Sequence, residues 1–232
     1  MAVAVLDILG FEHMMERRET QDIVSAIHKC LGTVDDSRSV VLHDFDHFVG
    51  LSGGRRPQIE LLNFSDTLVL CLTCTESVPL LLRTPGQMVV SISYAVSMII
   101  SQAAISGIPL RGAIAFGHGY VSHRPLLFVG RPFLEAIHLE KVQQWAGAAL
   151  TVSAENALLE LELERRQFVV QYSVPIKNGS ELRPHYAVNW TRPFVPVNIS
   201  PPPWEEMFSQ ASPDVQVKRR ETEKFFNKYL RR

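Results

Sequence analysis

Along the chain the apolar positions switch between a period of two and a period near three and a half, and the switching lays out the elements. Residues 2–8 are nearly all apolar, as a strand buried on both faces is. Gly10 supplies a tight turn behind it. Residues 20–31 place Ile23, Val24, Ile27, Cys30 and Leu31 on one side of a helix that Gly32 ends. Strands are predicted at 39–49 and 59–63, separated by the surface-loop cluster Ser52-Gly53-Gly54-Arg55-Arg56-Pro57. Residues 67–73 read as a strand and Gly86 to Ser106 as a long helix closed by Gly107. Three more strands fall at 110–116, 119–122 and 126–129. A helix is predicted from Pro132 to Trp145 and a strand from Ala148 to Val152. Ser153-Ala154-Glu155-Asn156 reads as a helix cap. Phe168 to Val174 and His185 to Trp190 form a late hairpin around Lys177-Asn178-Gly179-Ser180.

Strand, helix, hairpin, helix, strand is the order of an α+β fold with a ferredoxin-like βαββαβ core. From Pro193 onward the pattern breaks. Pro193, Pro196, Pro201, Pro202 and Pro203 mark an extended connector, and Trp204 begins a helical region. The organisation expected is therefore a domain over 1–192 and an extension over 193–232. Residues 218–232 hold seven Lys or Arg against two Glu, so the extension ends basic. A solvated helix lying on the domain or on a second copy fits that composition, and so does a contact with an effector, nucleic acid or lipid.

The 232 residues carry a formal net charge of -1, which gives no overall pull toward nucleic acid or an acidic membrane. The longest apolar stretch, Met88 to Ile105, is interrupted by Ser91, Ser93, Tyr94, Ser97, Ser101 and Gln102, and reads as a core helix instead of a membrane span. The N-terminus lacks the basic region of a signal peptide, and Cys30, Cys71 and Cys74 are odd in number; both point to the cytoplasm. His43-Asp44-Phe45-Asp46-His47 has metal-ligand residue types, but strand alternation divides the His and Asp between two faces, so a partly exposed strand accounts for it better.

Two aspartates carry the candidate chemistry. Asp7 follows Val3-Ala4-Val5-Leu6, and Asp66 precedes Thr67-Leu68-Val69-Leu70. A carboxylate on a buried strand is costly unless positive charge sits beside it, and two on neighbouring strands can hold divalent cations against phosphate oxygens. Read alone, they are equally compatible with exposed or helix-capping aspartates.

Asp7-Ile8-Leu9-Gly10-Phe11 resembles the Asp-Ile-x-Gly-Phe signature of class III nucleotidyl cyclases, and Ser65-Asp66 is similar to their Gly-Asp hairpin. Ile108 to Gly117, with Arg111 and Gly112, resembles their Arg-x-Gly-Ile strand, and Phe128 to Ala136 stands where a strand passes through Gly130 into their last core helix. The four segments occur in family order and cover roughly residues 1–155. The resemblance implies a cyclase-type core with additional strands and a nucleoside triphosphate substrate. It also implies two Mg2+ or Mn2+ ions on Asp7, Asp66 and the Ile8 carbonyl. The backbone of Leu9, Gly10 and Phe11 would cradle phosphate, with Arg111 and Lys177 as phosphate ligands and Arg131 as a further source of positive charge. It implies a head-to-tail homodimer with shared sites and a separate effector protein for the cyclic nucleotide.

Departures from the family bear on the base. Leu62 and Leu127 stand where purine cyclases carry polar base partners, and Leu134 and His138 where they carry a transition-state asparagine and arginine. The chain is in this respect similar to the short bacterial pyrimidine cyclases of anti-phage defence, which make cyclic UMP or cyclic CMP. A catalytically silent module binding a nucleotide or partner, and a metal-dependent phosphohydrolase or nucleotidyltransferase, stay open beside it.

Overall fold

A computed structural model describes residues 1–30, 32, 58–74, 83–123, 126–161, 168–178, 182–193, 201–210 and 212–230. The strand expected at 39–49, the His43 to His47 stretch and the loop at 52–57 lie outside them. In chain order the elements are β1 (Ala2–Ile8), α1 (Phe11–Arg17), α2 (20–30), β2 (Gln58–Phe64), β3 (Thr67–Thr73) and α3 (Pro85–Ile105). Then come β4 (Leu110–Phe116), β5 (Gly119–His123), β6 (Leu126–Gly130), α4 (Arg131–Val142), β7 (Gly147–Leu150) and α5 (Val152–Leu159). The chain closes with β8 (Val169–Gln171), β9 (Tyr186–Val188), α6 (Trp204–Met207) and α7 (Pro213–Tyr229).

One sheet runs β2-β3-β1-β4-β7-β9-β8, and β5 and β6 form a separate two-stranded ribbon. The β2-β3-β1-β4 neighbours are all antiparallel, the arrangement of the expected ferredoxin-like core, and β4 then pairs in parallel with β7. Strand β1 is central because nothing in Ala2–Leu6 wants water: each is 2% exposed or less. Helices α3 and α4 both pack on β1 and β4. Consecutive strand residues point to opposite faces, so Asp7 turns toward α4 while Ile8 shares a crevice with Ala103 of α3. Gly112 lets β1 and β4 approach, since a Cβ there would lie 2.5 Å from the Val5 carbonyl oxygen.

Helix α3 is capped by Thr84, which accepts from the Gln87 N–H, and opens on Pro85. It is long and apolar enough to cross a membrane, yet 78% of its most apolar window is buried inside the fold. Its buried serines Ser91, Ser93 and Ser101 fold their hydroxyls onto carbonyls four residues back at 2.7 Å, which satisfies them in an apolar setting.

Four boundaries move. A separate helix α1 follows Gly10, which takes a left-handed φ of 70°. Helix α4 ends at Val142, not Trp145, because Gln143 turns extended and bridges to Ile176. The buried Gln143 amide donates to the Gly112 carbonyl and accepts from Trp145 Nε1, so Trp145 belongs to the following loop. Strand β7 stops at Leu150 because Thr151 caps α5. The late hairpin keeps three residues per strand, with Val169 opposite Val188 and Gln171 opposite Tyr186.

The extension shares the core of 1–192. Phe225 and Phe226 of α7 are 0% and 2% exposed. Phe225 meets Trp145 edge-on at 4.8 Å, and Trp190 lies 5.6 Å from Phe226. The buried Thr222 hydroxyl accepts from the Ala146 N–H at 2.8 Å, and the Tyr229 hydroxyl donates to the Gln171 carbonyl at 2.6 Å.

Candidate active site

Asp7 sits one residue before the end of β1, paired across the sheet with Thr67 of β3 on one side and Arg111 of β4 on the other. Cross-strand partners share a face, so register alone puts the Arg111 guanidinium beside the carboxylate. Arg111 NH2 lies 3.5 Å from Asp7 Oδ2. Asp66 is the second residue of the two-residue Ser65-Asp66 turn between β2 and β3, where Ser65 takes a φ of 55°. The Ile8 N–H donates to the Asp66 carbonyl at 3.1 Å, so the turn is fastened to the residue after Asp7. Asp66 also borders a narrow crevice with Ile8, Ile27, Cys30 and Ala103.

A third acid, missed in the sequence reading, acts on Asp7 through Arg111. Glu140 of α4 is 5% exposed and takes Arg111 Nε on its Oε1 at 2.6 Å, with Arg111 NH2 on the same carboxylate. Arg111 NH1 reaches the Gln143 carbonyl at 3.4 Å. The signal was available: Phe133, Ala136, Glu140 and Gln143 follow helical spacing, and a glutamate on that buried stripe must have a cationic partner.

This crowding shows in the titration of Asp7. Burial pushes its carboxyl up to about 6, the Glu140 charge adds to the rise, Arg111 opposes it, and the Asp66 charge raises it further.

The other expected ligands divide. The Leu9 N–H is engaged by the Pro109 carbonyl at 2.9 Å and faces no phosphate, whereas Gly10 is exposed and Phe11 opens α1. Arg111 has its donors on Glu140, Gln143 and Asp7, so it is built into the protein and is not a free phosphate ligand. Lys177 is exposed at the same end of the sheet, its N–H donating to the Val142 carbonyl at 2.7 Å. Arg131 is elsewhere: it begins α4, pairs with Glu135 at 3.0 Å, and stands nine residues before Glu140, about 14 Å along a helix.

A cavity of about 530 Å3 adjoins the Gly10 turn, walled by α1 and the extension through His13, Arg17, Glu206, Gln210 and Lys218. Neither Asp7 nor Asp66 lines it. Gln210 Nε2 lies 3.6 Å from where a Gly10 Cβ would be, and Arg18 pairs with Glu206 and donates to the Gly107 carbonyl at 3.3 Å.

Among the described residues no group of three His, Cys, Asp or Glu is spaced to hold a metal ion. The Asp7 and Asp66 pair nevertheless offers oxygen donors of the kind a hard divalent cation takes.

No protein-family model and no curated protein matches this sequence. Solved structures do. The chain is similar to the catalytic core of a rhodopsin-guanylyl cyclase with converted specificity in complex with ATPalphaS, at a TM-score of 0.55 and 14% identity over 81% of this chain and 94% of that one. The monomeric guanylyl cyclase domain of the RhoGC fusion protein from Blastocladiella emersonii gives 0.54 and 15%, over 81% and 92%. The adenylyl cyclase CyaB from P. aeruginosa gives 0.51 and 14%, over 81% and 92%. At such identities the likeness establishes the fold, which is that of the class III cyclase domain.

Proposed function

We propose that the protein is a metal-dependent nucleotidyl cyclase that converts a nucleoside triphosphate, a pyrimidine one, to its 3',5'-cyclic monophosphate and pyrophosphate. The observation that carries the proposal is the fastening of the Asp66 turn to the residue after Asp7, beside an open glycine turn, on a fold shared with cyclase domains. Asp7, Asp66 and the Ile8 carbonyl would hold divalent cations, which when bound lower the pKa of the attacking 3'-hydroxyl and offset charge on the phosphates. Gly10, having no side chain, lets phosphate approach the start of α1. Lys177, which is exposed, would meet the leaving pyrophosphate. Leu62 and Leu127, lacking the polar partners that a purine takes in related cyclases, favour UTP or CTP.

The site is completed across a head-to-tail homodimer. Arg131 is too far along α4 to serve the Asp7 of its own chain. Near it an exposed apolar face, with Tyr120 61%, Val129 52% and Leu134 59% exposed, suits burial against a second copy. The product acts through a separate effector. A second reading, nucleotide binding without turnover, is favoured by Leu134 and His138 in the places of the family's transition-state residues.

Incubating the protein with Mn2+ and each of the four ribonucleoside triphosphates, with chromatographic detection of cyclic product, tests these readings. Cyclic UMP or cyclic CMP supports the proposal, and a purine product confines the error to the base. Bound but unconverted nucleotide supports the silent module. Turnover that survives in Asp7→Ala or Asp66→Ala overturns the two-aspartate site.

A further inference from the structure

Arg111 touches two carboxylates unequally. Glu140 receives Nε at 2.6 Å and NH2 as well, whereas Asp7 receives only NH2 at 3.5 Å. The Arg111 and Glu140 side chains are 11% and 6% exposed, so their charges are weakly screened, and the Asp7 side chain is 26% exposed. An arginine with a single acidic neighbour closes on it as a bidentate pair. Left with Asp7 alone, Arg111 would do that, and a cation approaching Asp7 would meet a neutralised carboxylate backed by a guanidinium. Glu140 prevents this by taking the planar fork itself.

We propose that Glu140 is a charge-compensating positioning residue of the cation site: by holding the Arg111 guanidinium, it leaves the Asp7 carboxylate available to a divalent cation. The inference rests on the proposed metal reading of Asp7 and Asp66. With Glu140 in place, Asp7, Glu140 and Arg111 sum to one negative charge, and Asp66 brings the site to two. Removing the Glu140 charge leaves a sum of one and pulls Arg111 onto Asp7. The fold supplies the geometry independently of any ligand, since register sets Arg111 opposite Asp7 and the buried stripe of α4 sets Glu140 over Arg111.

Direct Mn2+ binding to the full chain, measured by titration calorimetry and by the paramagnetic resonance signal of free Mn2+, tests the proposal without any need for turnover. Glu140→Gln is expected to raise the Kd for Mn2+ about 10- to 100-fold. Arg111→Gln is expected to leave the Kd unchanged or lower it. The double variant Arg111→Gln/Glu140→Gln, with no net change of charge, is expected within about threefold of the wild type, a figure set by the charge balance. A merely structural role for the pair predicts weaker binding in all three, so the opposite signs separate the cases. Should Glu140→Gln fail to fold, the neutral double variant and Arg111→Gln carry the test, and a Kd raised tenfold in either overturns the proposal. Wild-type binding that depends on Asp7 but is unmoved by Glu140→Gln overturns this inference alone. No Mn2+ binding by the wild type overturns the metal reading and the inference together.

Discussion

At the end of β1 several ionised side chains share a half-buried space, and along α7 a comparable number lie at the surface; the two groups shift in opposite directions. Asp7 is pushed up to about 6 by burial and by Glu140, so its setting disfavours the charge it must carry. On α7, a hydrogen bond from Lys218 holds the Asp214 carboxyl below its ordinary value, and hydrogen bonds to Glu205 and Glu223 raise Arg219. Those settings favour the charged forms. Surface ion pairs of this kind settle their own charges, whereas a buried carboxylate held against a second acid stores repulsion that a cation would relieve. The contrast separates the region proposed to bind a cation from one that holds the fold together.

The sharpest way to break the contrast is to remove the acids. Asp7→Ala and Asp66→Ala are each expected to lower cyclic nucleotide formation by about 10³-fold or more, on the order of 4 kcal/mol of transition-state stabilisation, with the fold kept. Product formation within tenfold of the wild type in either variant removes the functional half of the comparison. The structural half predicts the reverse for Phe225→Ala. Emptying the space between Trp145 and Trp190 is expected to cost about 3–5 kcal/mol in urea unfolding. A loss below about 1 kcal/mol would show that α7 is an appendage, not part of the core.

A finer test uses the pH dependence of Asp7. Its folded value lies above its unfolded one, so the protonated carboxyl costs nothing in acid, and the penalty grows as pH rises through about 6. The wild type therefore loses stability over that interval relative to Asp7→Asn, which has no charge to bury. From 3.8 to about 6, the full penalty is on the order of 2–3 kcal/mol. Asp7→Asn is expected to melt higher at pH 7.5 and to match the wild type near pH 4, with Mn2+ narrowing the gap by stabilising only the wild type. A gap that does not change with pH sinks the electrostatic account.

Much of this fold was legible because its signals are local. The unbroken apolar run of β1, the Gly107 stop of α3 and the Ser65-Asp66 turn each specify their element without help from distant residues. The two aspartates were legible for the same reason: Asp7 interrupts a strand that is otherwise apolar, and Asp66 stands in the turn immediately before another. What escaped the sequence depends on contacts between distant segments. The Arg111 and Glu140 pair joins residues 29 apart, and only the β1-β4 register shows that the arginine already has partners. The stop of α4 at Val142 is set by a bridge to Ile176, and the burial of Phe225 by tryptophans far earlier in the chain. The sequence marked a basic helical region after Trp204 but could not say which surface it meets.

The smallest expected effect sharpens the surface side of the comparison. Lys218 is four residues from Asp214 on α7, bonds its carboxylate, and lies near the cavity wall, whereas Asp214 is 53% exposed. Exposure lets water and salt take over most of what Lys218 gives, so Lys218→Ala is expected to cost only about 0.3–0.5 kcal/mol. The sign with pH is opposite to that of Asp7. A carboxyl lowered by its partner contributes stability at neutral pH, and the contribution disappears as pH falls through its lowered value. Urea unfolding of Lys218→Ala and the wild type is therefore expected to converge in acid and, because the pair is exposed, in 1 M salt at pH 7. A difference that persists in salt would mean that Asp214 and Lys218 form an unscreened, buried pair, and that the two regions follow one electrostatic rule, not two.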